Sequence, residues 1–430
     1  MNRQAALPVM RISQKTPAAD SSSRSGVFLN PLFSISHDRP KMNTNHLRLT
    51  ATVIIAAAAV AGAHATDVEV YGQIDTGLYY EDGRGESPTL KMNSGTDIST
   101  LWDIRGKEDF GTDGYVRFVL ESGFDSSTGA IANDTRDGAF FSRETLIIAG
   151  TKSVGEVAFG RTAGFLGSTG TYAQWAATGM NPMASNAADA ALLGTFQGSP
   201  IMDNVITVKS REIAGFTLLG QYSNNTTQGT YDEADGFSKV QHVYALAAGY
   251  KGDGFTASAI WQMIDQPNKA GLVGMPSDTK PTHKFFLGAT KTFGDLRVHV
   301  AYQHLEDARS VLGGPNALTA SNFGFNGSAS RDGFSADSFS VGANYPLWGG
   351  RIHGSFKMVH AEWNGDVGAA ADDSGARYVG AIRYAYKLSK RTGLYALATY
   401  GYGDGMFKNN NTVESVATRV TAAVGLNHRF

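Results

Sequence analysis

The chain has 430 residues with 37 basic and 39 acidic side chains, no cysteine, 51 glycines and 10% aromatics. Without cysteine there is neither a disulfide framework nor a thiolate metal site. Residues 1–65 hold seven basic and two acidic groups, so the remainder carries a net charge of −7, which argues against a nucleic-acid partner.

The N-terminal stretch reads as leader rather than fold. Residues 1–41 are rich in Ser, Pro and scattered charge without hydrophobic periodicity, and are expected to be a non-physiological extension ahead of Met42. Residues 42–65 read as a secretory signal peptide. A short n-region carries Arg48, an uncharged apolar run covers 51–61, and Ala63-His64-Ala65 is a small-x-small cleavage site. The apolar run is shorter than the roughly 20 residues a transmembrane helix needs. The mature domain is then 66–430.

From Asp67 the chain alternates with period two. In the first strand Val68, Val70, Ile74, Leu78 and Tyr80 oppose Glu69, Tyr71, Gln73, Asp75 and Tyr79; in the last, Val420, Val424, Leu426 and Phe430 oppose Arg419, Asn427 and Arg429. One apolar and one polar face per strand means two different solvents. Strands are expected at 68–80, 99–108, 115–125, 140–151, 156–161, 200–209, 216–222, 241–250, 255–263, 283–293, 296–305, 338–346, 351–363, 376–388, 392–402 and 417–430. Their connections alternate strictly, seven short and eight long, beginning with the long one at 81–98. That sorting predicts an all-β fold, a 16-stranded antiparallel transmembrane β-barrel with short periplasmic turns and long extracellular loops, closed by pairing the last strand with the first. Tyr345 and Trp348 at a short-turn end, and Tyr80, Tyr222, Trp363, Tyr400 and Tyr402 at long-loop ends, are candidates for two interfacial girdles.

Particular segments carry a family resemblance: VEVYGQID at Val68–Asp75, RGKEDFG at Arg105–Gly111, LESGF at Leu120–Phe124, FGR at Phe159–Arg161, YKLSKRTGLY at Tyr386–Tyr395 and VGLNHRF at Val424–Phe430. With these the chain resembles the general trimeric porins of Gram-negative, proteobacterial outer membranes. The resemblance implies a homotrimer in the cell outer membrane passing small hydrophilic solutes and ions by passive diffusion, without a cofactor, with the third long loop folded inward to narrow the channel. It also implies that Phe430 is part of the signal read by the outer-membrane assembly machinery. The first five strands are favoured for the trimer contact.

Charge placement bears on selectivity. The third long connection, 163–199, contains one charged side chain, Asp189, and large apolar ones, among them Phe165, Leu166, Trp175, Met180, Met183 and Leu192, that suit burial against an inner wall. The other long connections hold more than twice as many acidic as basic groups, leaving the barrel body mildly basic. Arg105, Arg117, Arg143 and Arg161 fall on the second to fifth strands, and the resemblance implies that such arginines line the pore constriction opposite the third loop. A basic wall facing a nearly neutral loop lowers the barrier for anions, so a weak anion preference is expected. The competing reading pairs these arginines with Asp103, Glu108, Glu121, Glu144 and Glu156 as wall structure. Acidic loop tips either bridge through divalent cations to neighbouring lipopolysaccharide or only keep the surface solvated; no loop has metal-ligand spacing.

Two rival functions are weaker. A solute-specific channel needs a saturable site, and Tyr71, Tyr79, Tyr384 and Tyr400 form no recognisable aromatic slide. A barrel hydrolase needs nucleophile, base and orienting group at one rim, and the best pair is His360 with Glu362. Neither a nucleophile elbow nor a phosphate-binding loop is present, since the glycines at 401–405 lead into no helix. The chain is therefore not expected to be an enzyme.

Overall fold

The computed structural model describes residues 67–83, 87–132, 139–167, 170–173, 183–186, 195–196, 198–199, 201–224, 241–265, 280–308, 333–365, 372–407 and 418–430. The expected leader and signal segments lie outside these residues.

Sixteen long strands run antiparallel in chain order: β1 (Asp67–Gly83), β2 (Leu101–Phe110), β3 (Gly114–Phe124), β4 (Glu144–Thr151), β5 (Gly155–Ala163), β6 (Ile201–Ser210), β7 (Phe216–Asn224), β8 (His242–Gly252), β9 (Phe255–Asp265), β10 (Thr282–Phe293), β11 (Leu296–Ala308), β12 (Phe334–Leu347), β13 (Gly350–Trp363), β14 (Ser374–Lys387), β15 (Thr392–Gly403) and β16 (Arg419–Arg429). Each pairs with its sequence neighbours, and β1 pairs with β16 from Gln73↔Arg429 to Gly83↔Arg419, so no edge is left open. The last residue extends the seam: Phe430 N–H donates to Gly72 O at 3.0 Å and Gly72 N–H to Phe430 O at 3.2 Å. The Phe430 ring lies over Gly72, filling the space a Cβ would need, the way an aromatic covers a glycine gap in a sheet.

Two short strands, Thr89–Ser94 and Ile131–Ala132, sit inside long connections that the sequence marks only as loops. The first has a structural reason. β2 pairs only with the lower part of β1, up to Gln73↔Leu101, and Thr89–Ser94 takes over from Thr76↔Ser94 upward. Between them residues 95–100 are turned into the barrel, with Gly95 at φ +68 supplying the left-handed residue of the bend. β4 begins at Glu144 rather than at Phe140, because Phe140 and Phe141 leave the ladder to cluster with Trp102 at ring distances of 5.7 and 5.9 Å.

The two faces are inverted relative to a water-soluble sheet. Gln221, Gln262, Gln303, Ser338 and Lys284 are buried on the inner face, whereas Leu246 and Leu287 are 60% and 57% exposed on the outer one. Val68, Val70, Ile147, Phe159, Val208, Leu218, Val300, Val341 and Ile382 continue that outer surface. An apolar belt of this extent is stable only against hydrocarbon. Tyr345 and Trp348 at one end and Tyr400 and Tyr402 at the other are exposed as girdles require. Trp363 is a correction. It is 8% exposed and packs edge-on against Phe334, with ring centroids 5.6 Å apart, in a cluster with Leu305, Val359 and Phe407. Its parity on β13 puts it inside, so the aromatic fills the long-loop mouth instead of the lipid interface.

Candidate functional site

The third long connection enters the barrel directly from β5. The β5–β6 pairing breaks register between Gly160 and Thr162. Beyond it Phe165, Leu166, Tyr172 and Phe196 are all buried to 1% or less. They share one cluster with the inward side chains Val119, Leu146, Ile148 and Ala158 of β3–β5 and Leu219, Ala245, Ala247, Ile260, Phe286 and Ala301 of β7–β11. The otherwise polar inner wall thus carries an apolar strip on which the connection lands, each large side chain contributing about 1.5–3 kcal/mol of burial.

Polar anchors fix the landing. Glu144 accepts from Thr162 Oγ1 at 2.5 Å and from the backbone and hydroxyl of Thr171 at 2.9 and 2.8 Å. Gly170, at φ +110, brings the chain so close to that carboxylate that a side chain there would crowd it. Tyr172 donates to Glu156 Oε1 at 3.0 Å, and on the return Lys284 Nζ donates to Gly198 O at 2.9 Å while Ser199 donates to Gln262 Oε1 at 3.0 Å.

A different arc of wall holds the connection's middle. Met183 is fully buried with Val379, Tyr395, Leu397 and Ala423 of β14–β16. Its carbonyl accepts from Arg383 at 3.2 Å. Asn186 binds the inner turn of the first connection, with its N–H on Asp97 O at 2.9 Å and its amide on Gly95 O at 3.0 Å and Ser99 Oγ at 3.2 Å. That turn is itself secured by Asp75 of β1, whose carboxylate accepts the backbone N–H groups of Thr96, Asp97 and Ile98 and the hydroxyl of Tyr395. The described parts of the third connection therefore touch two arcs of the inner wall.

Of the arginines expected at the constriction, Arg117, Arg143 and Arg161 lie beside the third connection and Arg105 does not. Arg117 binds Glu156 at 2.9 Å, the same carboxylate that receives Tyr172. Arg143 is buried against Glu121, and Arg161 bonds Ser142 O and Asp203. Arg105 sits toward the short-turn end, paired with Glu69 at 2.8 Å and stacked over Tyr71 at 4.3 Å. Every one has a carboxylate partner, two of them, Glu69 and Asp203, being acids that sequence separation hides. Asp189, Trp175, Met180 and Leu192 lie outside the described residues, whereas Phe165, Leu166 and Met183 are buried.

The residues missed by reading the sequence are on the far wall. Arg383 makes a bidentate pair with Asp97 at 2.6 and 2.7 Å and meets His353 Nε2 at 3.2 Å. Lys357, 1% exposed, holds its ammonium 5.2 Å from the Phe196 ring. Lys284 on β10 and Arg377 on β14 are likewise buried. Strand parity was the available signal, since each of these cations falls on the polar, inward step. His360 and Glu362 occupy the outward step of β13 and are exposed, with Asp337, bonded to His304 at 3.0 Å, across from His360.

Residues 50–406 match the family model described as Gram-negative porin. The chain belongs to the Gram-negative porin family. An outer membrane porin protein of Bordetella pertussis is 28% identical over 413 residues, covering 89% of this chain and 99% of that protein. Among solved structures, the anion-selective porin from Comamonas acidovorans superposes with a TM-score of 0.57 at 19% identity, covering 85% of this chain and 100% of the other. The trimer form of OmpT of Vibrio cholerae gives 0.55 at 16%, with the same coverage. These two share the fold. This porin is thus an outer-membrane barrel whose water-filled lumen passes small hydrophilic solutes and ions by diffusion.

Proposed function

We propose that this porin is a general diffusion channel with a weak preference for anions. One observation carries the reading: the inward positions of β8–β14 hold Lys251, Lys284, Arg297, Lys357, Arg377 and Arg383. Among the described residues these positions carry no Asp or Glu apart from Asp307 at the long-loop bulge of β11. Asp97, reaching in from the first connection, meets one of these cations. On the β1–β6 side, by contrast, Glu69, Glu121, Glu156 and Asp203 are each matched by an arginine. The β8–β14 arc of the wall therefore carries more cations than carboxylates among the described residues, which lowers the barrier for an anion relative to a cation along that arc. Reversal potentials across planar bilayers in a potassium chloride gradient test it: the expected sign is that of chloride, and a clear potassium preference refutes it.

The channel works as a homotrimer, with the outer face of β1–β5 as the contact surface; Val68, Val70, Ile147 and Phe159 leave that face apolar and exposed. Phe430 serves as the assembly signal, residues 42–65 are removed on export, and the acidic long connections meet the lipopolysaccharide layer. No catalytic role is assigned to His360 and Glu362. They point outward, away from the lumen. An ohmic channel without hydrolytic activity is the expected outcome.

A further inference from the structure

We propose that the short-turn mouth of this porin contains a binding subsite for a polyvalent oxyanion, a phosphate ester or a polycarboxylate, distinct from the constriction. A cavity of about 640 Å³ opens there between the β4–β5, β6–β7 and β8–β9 turns. It is within the size range of small-ligand pockets. Five cations line it, Lys152, Lys209, Arg211, Lys251 and Arg297, against two carboxylates, Glu156 and Glu212.

The acids do not neutralise the site. Glu156 is already engaged by Arg117 at 2.9 Å and by the hydroxyls of Tyr115 and Tyr172 at 2.6 and 3.0 Å, and Lys209 stands off at 3.8 Å. Lys152 leans toward Asp109 at 3.9 Å. Arg211, Lys251 and Arg297 have no carboxylate partner among the described residues. Lys209, Lys251 and Arg297 fall on the inward step of β6, β8 and β11, so their charges converge on one volume from three strands. Thr217 and Thr256 of the same lining add hydroxyl donors.

The frame is rigid. Arg211 N–H donates to Val154 O at 2.8 Å and Lys251 N–H to Gly215 O at 2.9 Å, tying the three turns together. Like charges gathered around one cavity repel unless an anion sits among them, and a planar guanidinium beside ammonium groups matches a di- or trivalent oxyanion better than chloride. The inference rests on the diffusion-channel reading but not on its anion preference: a pore without selectivity in potassium chloride that is still blocked by oxyanions keeps the subsite.

The test is single-channel chloride current with pyrophosphate or citrate added to one side at matched ionic strength. Wild type is expected to show concentration-dependent block from the short-turn side and weaker block from the long-loop side. Lys251→Gln with Arg297→Gln should weaken the apparent affinity about fivefold or more. Lys390→Gln removes a charge from the same end outside the cavity and should leave the block unchanged. Tighter block by pyrophosphate assigns a phosphate ligand and tighter block by citrate a carboxylate; both support the site. Equal block in wild type and the double variant, or equal loss with Lys390→Gln, overturns it.

Discussion

Arg383 and Asp97 are 286 positions apart and meet as a buried, two-pronged ion pair, with distances of 2.6 and 2.7 Å, between the wall and the inner turn of the first connection. Because Arg383 also holds Met183 O and Asp97 O holds Asn186, the pair joins the first connection, the third connection and β14. Arg383→Ala leaves the buried Asp97 carboxylate without its cation and with the Asn427 amide as its remaining side-chain donor, at a cost of about 3 kcal/mol. The constriction is expected to loosen, seen as a larger and noisier single-channel conductance. A variant with wild-type conductance and noise would show that the pair does not hold the loops.

Phe196 is wedged between Phe286, with ring centroids 6.4 Å apart, and Lys357. Phe196→Ala removes a fully buried ring and should cost about 3 kcal/mol in the packing of the returning arm. Urea denaturation of the refolded barrel with conductance on the same preparation checks this. Barrel stability should fall less than the fixity of the connection, because the strand ladders are untouched.

Lys284 stands on the inward step of β10 and donates its ammonium to the neutral carbonyl of Gly198. Lys284→Gln should reduce chloride-over-potassium permeability roughly twofold, read from reversal potentials. The loss should be larger at low ionic strength, where screening is weaker.

Deletion of Phe430 removes two backbone hydrogen bonds and the ring over Gly72. Amounts of assembled protein in the outer membrane are expected to drop severalfold, while the pores that do form conduct normally. Gly72→Ala should produce a milder version of the same defect, since a methyl there collides with the Phe430 ring. Normal membrane levels of both variants would speak against a role for the seam in assembly.

Strand number, closure and the inner and outer faces were legible along the chain. Alternation in stretches such as Val68–Tyr80 and the sorting of short and long connections are local properties, set by two solvents on two faces of a pleated strand. Trp363 shows the limit of composition: an aromatic at a strand end suggests a girdle, but parity turns it inward. The inward basic set of β8–β14 was within reach of the same parity arithmetic.

Sequence alone could therefore determine the barrel, because every strand repeats one two-sided pattern and each pairs with the next. Partner choice inside the lumen was decided by tertiary structure alone. Arg105 meets Glu69, Arg161 meets Asp203 and Arg383 meets Asp97 because register and barrel closure bring distant strands and loop turns to one height. Those are cross-strand and cross-lumen relations, and no spacing along the chain encodes them. The constriction and the basic mouth belong to that second class.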